Sequence, residues 1–159
     1  MNFDEADALN ESIRAVGIRH RALAIAALAP FGIHPGHKLL LMELDKKGPV
    51  TQAHLAAASG YEPPTITMSV RQLEAAGLVV RRPSAADRRA TLVELSDLGR
   101  AVLPKVRTAW RHVAEQTTAG LSPAQVMQAK ELFPALAAAL TAAVDPTNLP
   151  RYAPPSRPR

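Results

Sequence analysis

The stretch EPPTITMSVRQLEAAGLVVRRPSAADRRATLVEL, residues 62–95, decides the fold of this chain. Its first part predicts a helix, because two prolines suit a first helical turn and Ile66, Val70 and Leu73 recur at helical spacing. After Gly77 the apolar residues no longer recur at helical spacing, and two short apolar runs, LVV and TLVEL, flank a polar loop. The stretch therefore predicts a helix followed by a β-hairpin.

The face of this helix opposite its apolar residues carries hydroxyl, amide, guanidinium and thioether groups. Because an α-helix turns by 100° per residue, these side chains point away from the apolar face. Their hydrogen-bonding and apolar groups suit the base edges of a DNA major groove. The candidate DNA-reading residues of the helix are Pro64, Thr65, Thr67, Met68, Arg71 and Gln72. For each of them, an ordinary polar face exposed to solvent is the alternative interpretation.

The hairpin is rich in arginine. Arg81 and Arg82 lie on its first strand, and Arg88 and Arg89 lie near its tip beside Asp87. This placement concentrates positive charge where a hairpin would meet phosphates or a narrow minor groove. A solvated turn without a specific role is the alternative.

Helix start and stop signals predict three helices upstream of this stretch. A long amphipathic helix covers residues 9–31 and carries His20 on its apolar face. A second helix starts at Pro35 and stops at Gly48, and a short third helix lies between Thr51 and Gly60.

Two further helices are predicted downstream. Ser96 is an N-cap for a fifth helix with apolar residues at 98, 102, 106, 109 and 113, and the sequence SPAQ at 122–125 forms a capping box for a sixth. The apolar residues of the sixth helix run from Val126 to Val144. The last fifteen residues hold five prolines and three arginines, which predicts a disordered basic tail.

The predicted order of elements is that of a mainly α winged helix-turn-helix with a small two-stranded β wing. Long helices flank it, and their apolar faces exceed what one copy can cover, which predicts a homodimer. The expected organisation is an N-terminal dimerisation helix (1–32), a DNA-binding domain (33–95), C-terminal dimerisation helices (96–145) and the disordered tail (146–159).

Composition favours a folded, DNA-binding protein over an enzyme. Of 159 residues, 47% are hydrophobic, and 19 lysines and arginines exceed 14 acids, which favours polyanionic partners. The absence of cysteine excludes disulfides and thiol catalysis, and common catalytic motifs such as G-x-S-x-G and H-E-x-x-H are missing. We therefore expect no enzymatic activity and no cofactor.

No apolar run approaches the length of a membrane span, and the first residues, MNFDEADALNES, are acidic where a secretory signal would be basic. We expect a cytoplasmic protein without a membrane partner.

Three segments together resemble the MarR family of bacterial transcriptional regulators. They are IHPGHKLLLMEL (33–44), GPVTQAHLAAASG (48–60) and the run from Glu62 through LSDLGRA (62–101). The most specific pieces are the fourth helix leading into LEAAGLVVRR and the wing motif of Asp87, Arg88 and Arg89.

The resemblance implies a homodimer whose two winged domains read a pseudo-palindromic operator in double-stranded DNA. It also implies that Arg89 reaches the minor groove, braced by Asp87. Many members are repressors that lose DNA affinity when a small, often phenolic, effector binds between the dimer helices and the winged domain. We therefore expect a repressor.

The chain departs from the family pattern at three positions. Met68 stands where many members have arginine, Pro64 stands where serine is common, and His34 replaces the usual threonine or serine cap of the second helix. The operator preference of the family is therefore not carried over to this chain. A missing cap would cost about 1 kcal/mol.

His20, His37 and Trp110 are candidates for an effector pocket, with a hydrogen-bonded structural histidine as the alternative for His20. His34 and His37 could also form a metal site with His112 and Glu115, but spacing does not bring the two pairs together, and we expect no metal.

Two rival functions stay open. One is a winged-helix scaffold for protein interactions that has lost DNA binding, an interpretation that Met68 and Pro64 favour. The other is a small-molecule binding protein or enzyme that uses the pocket near His20.

Overall fold

The computed structural model describes residues 1–84 and 91–143. Its elements are α1 (Phe3–Leu28), α2 (Pro35–Lys47), β1 (Val50–Thr51), α3 (Gln52–Ser59), α4 (Pro63–Ala75), β2 (Val79–Pro83), β3 (Thr91–Leu95), α5 (Asp97–Thr118) and α6 (Pro123–Ala143). A 3₁₀ turn at Ala29–Phe31 follows α1. The described chain is thus mainly helical with a small antiparallel sheet, which confirms the predicted winged helix-turn-helix class.

The chain divides into two compact units. The first comprises Met1–Ala114, and the second begins at Glu115. The predicted wing tip, with Asp87, Arg88 and Arg89, lies outside the described residues, as does the predicted tail. Within the described ranges, no single helix is long and apolar enough to cross a membrane. The bent helix pair Phe3–Phe31 and Pro35–Lys47 has the length and apolar composition of a membrane span when its two segments are taken together.

Local capping signals start α3 and α6 where the sequence predicts them. The Thr51 hydroxyl accepts the backbone N–H of His54 at 3.2 Å and starts α3. At the start of α6, the Ser122 hydroxyl accepts the Gln125 N–H at 3.3 Å, and the Gln125 side chain accepts the Ser122 N–H at 2.8 Å. The predicted capping box is therefore confirmed.

His34 caps α2 in place of a hydroxyl residue. Its Nδ1 accepts the Gly36 backbone N–H at 3.4 Å, and its own N–H donates to His37 Nδ1 at 3.3 Å. The expected loss of a cap is thus offset by an imidazole pair: His34 Nδ1 replaces the hydroxyl oxygen of a serine or threonine cap, and His37 Nδ1 replaces the side-chain oxygen of the third residue in a capping box.

The sheet has three strands in the order β1, β3, β2, with one strand more than the predicted two-stranded wing. Both neighbours of β3 are antiparallel to it, with Val50 opposite Val93 and Val79 opposite Leu95. Strand β1 is only two residues long, so it carries no alternating pattern that the sequence could reveal.

The core of the winged domain lies between α2, α3, α4 and the sheet. Its fully buried side chains include Leu40, Leu41, Leu44, Leu55, Ile66, Val70, Leu73, Val79 and Val93. The buried residues of α4 are the predicted apolar set with Ser69 added. Burial of this face fixes which side of α4 points outward.

A short junction ties the end of α4 to the start of α5. The Ser96 hydroxyl donates to the Gly77 carbonyl at 2.5 Å and accepts the Gly99 N–H at 2.9 Å, while the Ser96 N–H donates to the Leu78 carbonyl at 3.0 Å. A side chain at Gly99 would place its Cβ 2.0 Å from the Leu78 carbonyl oxygen. The close approach of α5 to this turn therefore requires glycine.

The long helices differ from the predicted apolar stripes. The first helix begins at Phe3, six residues before the predicted start, and Leu9, Ile13 and Val16 on its stripe are exposed. On α5, Val106 and Val113 of the predicted stripe are buried, together with Gly99 and Leu103, whereas Leu98 is 56% exposed. No residue of α6 is buried within the chain.

Candidate nucleic-acid interface

The outward face of α4 is formed by Pro64, Met68 and Arg71, which lie four and three residues apart. All three are exposed, and Met68 is 48% exposed. Within the described residues, Arg71 forms no hydrogen bond or ion pair. This face can therefore form a bidentate hydrogen bond to a base through the guanidinium of Arg71 and an apolar contact through the thioether of Met68.

Two hydroxyl residues flank this face. The Thr67 hydroxyl donates to the Pro63 carbonyl at 3.0 Å, so its proton is used within the helix and its oxygen keeps only accepting capacity. Thr65 is half-buried. Thr67 therefore offers no free donor, and Thr65 is less exposed than Arg71.

Gln72 is exposed, but its side-chain oxygen is hydrogen-bonded to a buried residue, which leaves only its amide N–H groups for DNA. Its Oε1 accepts from His37 Nε2 at 3.0 Å, a bond that joins α4 to the start of α2. Since His37 Nδ1 accepts the His34 N–H, the proton of the neutral ring must sit on Nε2, which makes the ring the donor to Gln72. His37 is buried, and burial lowers its pKa despite this hydrogen bond.

The two described wing arginines have carboxylate partners inside the domain. Arg81 Nε donates to Glu74 Oε2 at 2.9 Å, and the Arg81 hydrogen bonds lower the pKa of Glu74. Arg82 pairs with Glu94 at 2.9 Å across the β2 and β3 ladder. A phosphate that binds either arginine must therefore compete with a carboxylate.

The start of α4 has few backbone donors for a phosphate. Pro63 and Pro64 occupy its first two positions, so neither contributes an N–H. Glu62 at the N-cap makes no side-chain capping bond and adds a negative charge at the same end. Phosphate contacts are therefore less favoured here than at a helix with free N–H groups.

A second cluster joins α1, α2 and α5. The rings of His20 and Trp110 meet edge to face with centroids 6.2 Å apart, and Lys38 Nζ lies 4.6 Å from the Trp110 ring centroid. Burial lowers the pKa of Lys38. Two of the three predicted pocket residues are thus brought together, whereas His37 bonds to Gln72.

Lys38 is the member of this cluster that the sequence interpretation missed. Its only signal is a cation inside the apolar run HKLLLM, immediately after His37. A cavity of about 540 Å³, open along α5, is lined by residues that include Phe31, Lys105 and His112 but not Trp110.

The histidines and carboxylate of the alternative metal site do not form such a site in the described residues. Among residues 1–84 and 91–143, no group of three or more histidines and carboxylates is placed to hold a metal ion. The Nδ1 atoms of His34 and His37 instead accept the backbone N–H groups of Gly36 and His34 and so cap α2.

Comparison with known proteins agrees with this geometry. The MarR family model matches residues 31–90, which include α2, α3, α4 and β2. A protein from Pseudomonas aeruginosa, described as a probable transcriptional regulator, is 29% identical, with a TM-score of 0.73 over 80% of this chain and 96% of its own.

Two other solved structures share the fold at lower identity. Bordetella bronchiseptica BpsR, whose DNA binding is regulated by 6-hydroxynicotinic acid, is 22% identical, with a TM-score of 0.70 over 82% of this chain and 98% of its own. A mutant E. coli MarR in complex with operator DNA is 21% identical, with a TM-score of 0.72 over 86% and 98%.

The family match thus includes α4, the helix that carries the outward Met68 and Arg71. The shared fold extends over nearly the full length of the compared regulators. Residues 31–90 of this chain thus match the MarR family, and the fold of the chain is that of MarR-family transcriptional regulators.

Proposed function

We propose that this protein represses transcription by binding a pseudo-palindromic DNA site as a homodimer, and that a small aromatic acid releases it. The observation that carries the proposal is the outward face of α4, where the exposed side chains of Arg71 and Met68 project from a helix whose opposite face is buried. In this proposal residues 33–95 bind DNA, and residues 1–32 and 96–145 hold the dimer together.

Two exposed apolar rows support a homodimer. On α1, Leu9, Ile13 and Val16 are each about half exposed and share one face. On α6, the exposed large apolar side chains are Met127, Leu132, Phe133, Leu136 and Leu140. Rows of this size on a monomer mark an interface, and a second copy would cover the same residues on both subunits.

The cluster of His20, Lys38 and Trp110 supports an aromatic acid as the effector. Lys38 supplies a positive charge for a carboxylate, and Trp110 supplies a flat surface on which an aromatic ring can stack. BpsR, which shares this fold, responds to 6-hydroxynicotinic acid, which is itself an aromatic acid.

A path from this cluster to the DNA-reading helix runs through two consecutive residues. Lys38 contacts Trp110 on α5, while His37 bonds to Gln72 on α4. A ligand that shifts the start of α2 would therefore change the position of α4. The change in the free energy of DNA binding equals the difference between the ligand's binding free energies for the DNA-free and the DNA-bound protein.

Genomic selection followed by footprinting tests the DNA-binding part of the proposal. The purified protein should select a discrete site, and transcription from the neighbouring promoter in a purified system should fall as protein is added. An increase in transcription would show that the protein is an activator and would contradict the proposed repression.

A panel of phenolic and pyridine carboxylic acids tests the effector part. Binding should change Trp110 fluorescence and weaken operator binding at the same concentrations. A Lys38→Met variant, which keeps the length of the side chain but not its charge, should lose the response while still binding the operator. No response across the panel would leave His20 as a structural histidine.

The scaffold alternative is favoured by the proline-rich start of α4, which lacks two backbone donors. A scaffold would bind genomic fragments without preference at physiological salt, whereas the regulator prefers its site.

A further inference from the structure

The described polar residues near α4 leave one apolar side chain prominent on its DNA-facing side. Thr67 and Gln72 use a donor and an acceptor, respectively, in bonds within the domain, and Arg81 is paired with Glu74. Met68 is 48% exposed, in the middle of the outward face.

Met68 is suited to an apolar partner. A thioether is a weak hydrogen-bond acceptor, but it is polarisable and adapts well to apolar surfaces. Pro64, one turn earlier and also exposed, extends the same patch because residues four apart are neighbours on a helix.

The major groove offers one prominent apolar group, the C5-methyl of a pyrimidine, which thymine carries. Arg71 lies three residues after Met68, on the adjoining part of the face, where it can hydrogen-bond a guanine. We propose that Met68, supported by Pro64, reads the C5-methyl group of one pyrimidine in each half-site, next to a base pair that Arg71 reads. The inference rests on the proposed function, since it requires a selected DNA site.

The size of the effect follows from the burial of one methyl group. Removal of that group from the contact should weaken binding about fourfold per half-site, and about fifteenfold when both half-sites are changed. Both effects are within the range of a fluorescence anisotropy titration.

A uracil scan of the selected site tests the proposal. Each thymine is replaced in turn by uracil, which pairs with adenine in the same way but lacks the methyl group. The wild-type protein should show one sensitive position per half-site, and Met68→Ala should bind the thymine and uracil forms equally.

Two matched variants separate this contact from general damage. Leu39→Ala removes a similarly exposed apolar side chain, 43% exposed on α2, and should keep the full uracil sensitivity. Met68→Leu keeps an apolar side chain of similar size and should also keep it. Circular dichroism checks that each variant has the helicity of the wild type.

A second arm tests whether the methyl group, rather than the thymine base pair, is recognised. At the sensitive position, 5-methylcytosine and cytosine are compared, each paired with guanine. The methylated form should bind about fourfold more tightly in the wild type and no more tightly in Met68→Ala.

The proposal is overturned if the wild type binds its site selectively but no uracil position weakens binding. It is also overturned if the penalty is the same in Met68→Ala, because another group would then read the methyl. A wild type that selects no site at all overturns both this inference and the proposed function, and that result is visible before any uracil is introduced.

Discussion

Arg71 and Arg89 are expected to play different roles in DNA binding. Arg71→Ala should cost about 1 to 3 kcal/mol on the cognate site and little on a scrambled site, because the alanine cannot bond a base edge. Arg89→Ala should weaken binding to both the cognate and the scrambled site and make the binding constant less dependent on salt concentration. The slope should fall by about 0.9 log unit for each phosphate that the variant no longer neutralises, doubled in a dimer.

Titrations of the cognate and the scrambled DNA with Arg71→Ala and Arg89→Ala, over a range of salt concentrations, check these two predictions. Asp87→Ala should give a milder form of the Arg89→Ala defect, because it removes only the group expected to orient the arginine. The assignment is wrong if Arg71→Ala flattens the salt slope while Arg89→Ala leaves it unchanged.

His37 should make the stability of the winged domain dependent on pH. Burial lowers its pKa below 6.5, so the folded state binds fewer protons than the unfolded state when the pH falls below that value. The free energy of unfolding should therefore be constant above about pH 6.5 and decrease as the pH falls towards the folded pKa of His37.

Urea unfolding between about pH 5.5 and 7.5 measures this decrease. In His37→Gln an amide can still donate to Gln72 but does not titrate, so part of the decrease should disappear. His34, whose pKa burial also lowers, accounts for a further part. An unchanged pH dependence in His37→Gln would show that His37 does not titrate in this range.

The candidate site shows which residue roles the sequence can predict. Helical spacing correctly places Met68 and Arg71 outward, because spacing alone fixes the face. It cannot show that Gln72 bonds to His37, which lies 35 residues earlier, or that Lys38 meets Trp110. Those contacts depend on how α2 packs against α4 and α5, which no local pattern encodes.

At the scale of elements, the junction between α4 and α5 depends on Gly99. Gly99→Ala should lower the free energy of unfolding by about 3 kcal/mol, the upper end of the usual cost of overpacking, because the new methyl group would meet the Leu78 carbonyl. Chemical denaturation measures the decrease.

Gly17→Ala is the matched control for this substitution. Gly17 lies within α1, and a Cβ there meets nothing within 4 Å. The substitution should stabilise the protein by about 0.5 to 1 kcal/mol, since alanine has the higher helix propensity. Equal effects at the two positions would contradict the account of the junction.

Elements with local start and stop signals could be predicted from the sequence, and those formed by distant contacts could not. The bounds of α2, α3 and α4 follow from caps, prolines and glycines that act within one turn. Strand β1 exists only because Val50 and Thr51 pair with β3, more than forty residues later. The predicted stripe on α5 is wrong at Leu98, because Gly99 rather than Leu98 packs against the turn at Leu78 in the first turn of the helix, while Val106 and Val113 are buried as predicted.

For the whole molecule, a charge in the apolar row of α6 should separate the dimer. Phe133→Glu places a carboxylate where the proposed interface would bury it, while the side chain is 56% exposed in the single chain, so folding should be unaffected. Sedimentation equilibrium at micromolar concentration should show a dimer for the wild type and a monomer for the variant.

Glu131→Lys is the control for this experiment, because residue 131 lies about 160° around the helix from Phe133. It should stay dimeric. A wild type that sediments as a monomer with normal helicity would contradict the proposed assembly.

The most direct test of sequence-specific DNA binding by α4 is one titration at physiological salt. The operator fragment obtained by genomic selection and a scrambled fragment of the same length are each titrated with the full chain and followed by fluorescence anisotropy. The operator should be preferred by at least about a thousandfold, with half-sites about 10 base pairs apart in the footprint. Equal affinity for the two fragments would contradict the account.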